Sequence, residues 1–271
     1  MPGSVVQDQI DDLRYSVDVL RGNARELLAL VASGEHGPRH EDLVFSSSRR
    51  KRDAFTREFY RLLHNYVCSA KTLVDHTRVS HNGLHLPDEI PDYNAMKRKV
   101  FEKDPLTQFI LRLRVYVSHI RVADLAYQWH YHGEARTATR TLGLRRESLE
   151  QWDDWNVPAT KYLADAPDII RVSDFVREYA EKVKCFYEWL DDKLLETTAG
   201  RNLLVFRARQ EEMLGLNVEM RLLDGPEPSR VSLEERAFGS VLDASEIGQL
   251  AKVPAEERPG LAIALLSSYI S

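Results

Sequence analysis

Apolar residues recur every three or four positions along several long stretches of this chain, and that period constrains its fold more than any other feature. The spacing keeps one face of a helix apolar, whereas a half-buried strand needs alternation by two. Ile10, Leu13, Val17, Leu20, Leu27, Leu28 and Val31 predict one amphipathic helix over residues 5–32. Phe55, Phe59, Leu62, Leu63, Tyr66, Val67, Ala70 and Leu73 predict a second from Asp53 to Arg78. A third opens at Asp104-Pro105, where an aspartate can cap free N–H groups and proline fits the first turn. Its stripe, Leu106 through Tyr127, carries the helix to about His132-Gly133. Phe175, Val176, Tyr179, Val183, Phe186, Leu190 and Leu194 predict a fourth.

Shorter helices are expected over 93–102, 146–155 and 160–163. Residues 134–142 are expected to form an extended turn or a short hairpin, and no alternating run is long enough for a sheet of any size. The expected fold class is therefore all-α, an antiparallel helical bundle with an N-terminal helix and a C-terminal appendage. The expected divisions are 1–48 (helix and loop), 49–200 (bundle) and 201–271 (helical extension and tail). Gly225-Pro226-Glu227-Pro228 and Pro254 mark that tail as a small appendage or a segment that binds a protein partner.

A chain of 271 residues can bury about three quarters of its unfolded surface, so neither metal nor disulfide is needed to hold it. Cys68 and Cys185 lie in apolar helical stretches and read as reduced, packed thiols. The first sixteen residues show no basic segment followed by an apolar one, and the longest apolar run is too short to span a bilayer. The expectation is a cytoplasmic protein with no membrane partner. A net charge of −5 argues against a general nucleic-acid coat but leaves room for a local basic groove.

Chemistry is concentrated in Leu111-Arg112-Leu113-Arg114-Val115-Tyr116-Val117-Ser118-His119. Arg114 and His119 lie five apart, about 140° around a helix axis, so they can line two walls of one groove. A guanidinium grips phosphate oxygens through two parallel hydrogen bonds. An imidazole is the side chain whose ordinary pKa suits proton transfer near neutrality. Tyr116 and Ser118 could each add a hydrogen bond. Arg136, Arg140, Arg145 and Arg146 follow as candidate contacts to an RNA backbone, and the run Arg49-Arg50-Lys51-Arg52 reads as a solvated loop before a helix ahead of a phosphate contact. Trp152 and Trp155 read as core anchors ahead of base-stacking platforms. His130-Tyr131-His132 has no regular zinc spacing, and no metal or other cofactor is expected.

Arg, four residues, then His, late in a long helix, resembles the signature of the HEPN superfamily. The likeness runs over residues 50–196, through HNYVCSAKTLVDHTR, DPLTQFILRLRVYVSH and SDFVREYAEKVKCFYEWL. It implies a metal-independent endoribonuclease of the toxin–antitoxin or phage-defence kind. Arg114 and His119 then take the catalytic positions, and two protomers face their motifs across a dimer cleft. Two positions depart from the pattern. Val115 stands where active members commonly carry a polar residue. Arg121 stands where members controlled by a nucleotidyltransferase carry tyrosine, which argues against that control. The alternative class is a non-catalytic helical scaffold or adaptor that dimerises or binds a protein partner.

Overall fold

The computed structural model describes residues 2–37, 39, 43, 49–132 and 137–223, the side chains of 2, 130, 132, 137, 138 and 214–223 excepted. These residues fall into two compact units, divided at 7/8 and 197/198. The larger unit takes in most of the first helix, α1 (Pro2–Glu35), together with the bundle expected to begin at residue 49.

The second helix, α2 (Arg49–Gly83), starts earlier and ends later than its apolar stripe suggests. The basic run is therefore its first turn, where Arg49 faces Asp53 at 4.0 Å, and His81 lies inside the helix. Two short helices follow, α3 (Leu86–Glu89) and α4 (Tyr93–Lys97), then a π-helical turn over Arg98–Glu102. The fifth helix, α5 (Pro105–His119), opens as its sequence dictates: the Asp104 carboxylate accepts from the Thr107 N–H at 2.8 Å, with proline in the first turn. Asp104 also accepts from Lys182 Nζ at 2.8 Å, so one carboxylate caps a helix and ties it to a neighbour.

α5 stops at His119 rather than near His132, and the chain turns into strands β1 (Leu125–His132) and β2 (Thr137–Arg145). They pair antiparallel from Leu125↔Leu144 to His132↔Thr137. After α6 (Arg146–Glu150) and α7 (Val157–Asp165), strand β3 (Ile169–Arg171) completes a three-stranded sheet on the other edge of β2. The fold is thus mostly helical, with a small sheet in place of the last turns expected of α5. Tyr127, Trp129 and Tyr131 on one strand and Thr137, Thr139 and Thr141 on the other alternate by two, and aromatic and β-branched residues favour strands. Gly143 is required where β3 comes close, because a Cβ there would lie 2.5 Å from the Ile170 carbonyl oxygen. Glu35, almost fully buried at the end of α1, accepts the Leu142 N–H at 2.8 Å, next to the point where β3 stops pairing.

The core of this unit lies where α2, α5 and α8 (Val172–Leu194) bring their stripes together. Phe59, Leu63, Tyr66, Phe109, Leu113, Phe175, Tyr179 and Phe186 are all buried there. Trp155 stacks on Phe109 and Tyr116, with ring centroids 5.6 and 6.0 Å apart, and serves as a core anchor. Of the two thiols, Cys68 is half-buried, and Cys185 is exposed on α8 rather than packed.

The smaller unit joins residues 2–7 to α9 (Thr198–Leu223), which begins after a break at Leu195–Thr197 rather than continuing α8. Within it Arg207 Nε donates to Gln7 Oε1 at 3.0 Å. The expected appendage beyond residue 223 lies outside the described residues. Among the described residues no helix is long and apolar enough to cross a membrane.

Candidate functional site

The face of α5 that carries Leu106, Phe109, Ile110, Leu113 and Tyr116 is buried, and this fixes where the motif side chains stand. At 100° per residue, Arg114 and Ser118 come within 40° of each other, one turn apart, and flank the buried stripe. Arg114 is half-buried and His119 is exposed in the last turn.

The arginines around this helix are engaged to different degrees. Arg112 pairs with the Asp154 carboxylate, and its guanidinium lies over the Trp152 ring, 4.9 Å from the centroid. Arg121 donates to the Tyr116 phenol oxygen at 2.7 Å, to Ser148 Oγ at 3.0 Å and to Gln151 Oε1 at 2.8 Å. Arg145 Nε meets Asp124 Oδ2 at 2.9 Å. Arg146 meets Asp168 at 2.8 Å and Glu150 at 3.4 Å. Arg140 reaches the Glu35 carbonyl oxygen at 3.4 Å. The Arg114 side chain makes no hydrogen bond or ion pair among the described residues. Arg136 lies outside the described residues.

Tyr116, expected to support the site, is buried and holds the chain that follows the helix. Its phenol accepts from Arg121 and faces the Ser148 carbonyl oxygen at 3.4 Å. Ser118 instead faces a residue absent from the sequence-based set. Its Oγ lies 3.4 Å from His64 Nε2 on α2, and His64 lies 3.7 Å from the Cys68 sulfur one turn on. His64 and Cys68 stand four apart in HNYVCSA, off the apolar stripe, and that spacing was the available signal. Ser118 and the exposed His64 thus meet where α2 and α5 pack, with the half-buried Arg114 one turn back along α5 and His119 exposed in its last turn.

Among the described residues no group of three or more His, Cys, Asp or Glu side chains is arranged to hold a metal. The side chains of His130 and His132 are outside that set, whereas Trp129 and Tyr131 are exposed on β1. No known family model, curated protein or solved structure matches this chain.

Proposed function

We propose that the protein is a metal-independent endoribonuclease of the HEPN type, working as a homodimer around Arg114 and His119. One observation carries this reading. The half-buried Arg114 keeps a guanidinium without a partner among the described residues, while Arg112, Arg145 and Arg146 are tied to carboxylates, and the exposed His119 lies five residues on along the same helix. A guanidinium with no internal acceptor keeps its donors for a ligand such as phosphate.

The chemistry follows from those two groups. Arg114 grips non-bridging oxygens of the scissile phosphate and stabilises the charge that builds on them. The ribose 2′-oxygen attacks phosphorus, its proton passes to an imidazole, and the bond to the 5′-oxygen breaks. The leaving oxygen takes a proton from a second imidazole, and the products are a 2′,3′-cyclic phosphate and a 5′-hydroxyl. A facing copy of the motif supplies that second imidazole. Arg140, Arg145 and Arg146 contact the RNA backbone, exchanging their present acceptors for phosphate.

The test is cleavage of end-labelled RNA in EDTA by wild type, Arg114→Ala and His119→Ala, with product ends analysed. Cutting by the wild type alone, leaving cyclic phosphate, supports the reading. Equal residual cutting by all three proteins removes it.

A non-catalytic scaffold is the second reading. It is favoured by the exposure of Trp129 and Tyr131, which form an apolar surface on the hairpin suited to a protein partner.

A further inference from the structure

We propose that the free edge of β1 pairs with the same strand of a second copy of this chain, antiparallel about a two-fold axis through Trp129. β1 is the outer strand of the sheet, hydrogen-bonded to β2 alone. Just ahead of their first pair, the Arg145 N–H donates to the Asp124 carbonyl oxygen at 2.9 Å. The ladder bonds to β2 therefore fall to the even-numbered residues of β1, and the odd-numbered ones turn their N–H and C=O groups outward. Leu142, opposite Tyr127, shows the same alternation, since its N–H leaves the ladder for Glu35. At Leu125 the outer edge is taken by the Tyr60 phenol, which bonds that residue's backbone. Tyr127, Trp129 and Tyr131 have no backbone partner on the outer side among the described residues, and no other described element lies along it.

An open edge of this kind is ordinarily guarded by charge, proline or a bulge. Leu125–His132 holds no Lys, Arg, Asp, Glu or Pro, and its register with β2 advances residue for residue. Trp129 and Tyr131, 54% and 66% exposed, stand on the face that Tyr127 shares, so the edge is apolar as well as unpaired.

The sequence favours a second copy over an unrelated peptide. Tyr127-Gln128-Trp129-His130-Tyr131 reads with the same residue classes from either end. Two copies running antiparallel about Trp129 set Trp129 against Trp129 and Tyr127 against Tyr131, aromatic facing aromatic at each position. This register joins all the open residues of both copies, the N–H groups of each finding the C=O groups of the other. No formal charge on the strand meets a like charge, and none selects a partner of opposite sign. The pairing rests on the strand's backbone and needs neither of the functional readings above.

Sedimentation velocity of the full chain over a concentration series tests it first. The wild type should associate, and Trp129→Lys, which puts two cations opposite each other at the axis, should weaken that association by about tenfold or more. Urea unfolding checks that this exposed substitution keeps the fold. The register is tested by oxidative cross-linking in a Cys185→Ser background. Trp129→Cys should form a disulfide-linked dimer, because directly opposed strand residues have Cα atoms about 5.5 Å apart. Tyr131→Cys should not, since its two copies stand about 14 Å apart along the strands. If Trp129→Lys does not fold, hydrogen exchange of the wild type is the second measurement. The Tyr127, Trp129 and Tyr131 amides should be protected at high concentration and released on dilution. A wild type that stays monomeric, association unchanged in Trp129→Lys, no cross-link at 129 or one at 131 just as readily, or outer amides that exchange fast at every concentration each overturn the proposal.

Discussion

His81 and His119 show how differently one residue type behaves at two places on the same bundle. His81 is sealed under the end of α2, bonded to a phenol, stacked on a phenyl ring and held neutral by burial. His119 stands exposed at the end of α5, in the last turn of a helix whose Arg114 lacks a partner among the described residues. The first site is organised by packing and depends on the fold for its protonation state. The second is left free by packing, and its use depends on what comes from outside. Burial makes one imidazole part of the packed interior, while exposure leaves the other open to whatever arrives from solvent.

The largest expected effect would break this comparison at the exposed end. His119→Ala should lower RNA cleavage by about 10²- to 10⁴-fold, the usual worth of a general acid–base group, as measured by single-turnover cutting of labelled RNA. An unchanged rate would make the two histidines equally structural. The next effect concerns pH. His81 has a folded pKa of about 4, below the ordinary value of 6.5. An unfolded chain therefore takes up a proton on acidification before the folded one does. The contribution is present above pH 6.5 and is lost as pH falls toward 4, by on the order of 3 kcal/mol. Urea midpoints at pH 7 and pH 4.5 measure it, and the His81→Phe slope should be shallower.

Asp104→Ala sharpens the contrast from the other end of the motif helix. It removes both a cap and the partner of Lys182, and should cost about 1–2 kcal/mol in thermal or urea unfolding. The smallest effect is the stability of His119→Ala, expected within about 0.5 kcal/mol of wild type because the side chain is exposed. A larger loss would place His119 among the packed residues.

What the sequence made legible depended on how local the physics was. Asp104-Pro105 announced a helix start because capping involves only three or four consecutive residues. The apolar stripes of α1, α2, α5 and α8 were readable for the same reason. The end of α5 was not, because Ile120 and Tyr127 continue the helical spacing while Tyr127, Trp129 and Tyr131 also fit a strand. The choice between them is made by β2 and β3, which pair from further along the chain. The candidate site divides similarly. Arg114 and His119 could be picked out by residue type and spacing, but the lack of a partner for Arg114 depends on where Asp124, Asp154 and Asp168 come to rest. His64 opposite Ser118 and Tyr93 opposite His81 are pairings across loops, and no local pattern encodes them.

The Glu35 carboxylate that takes up the Leu142 N–H has a consequence for the order of assembly. Those residues are separated by more than a hundred positions, and the strand amide is left unsatisfied until the end of the first helix arrives. Closing so long a loop is slow compared with forming a hairpin. The ribbon can zip early, but it is finished only when an earlier-made part of the nascent chain folds back onto a younger one.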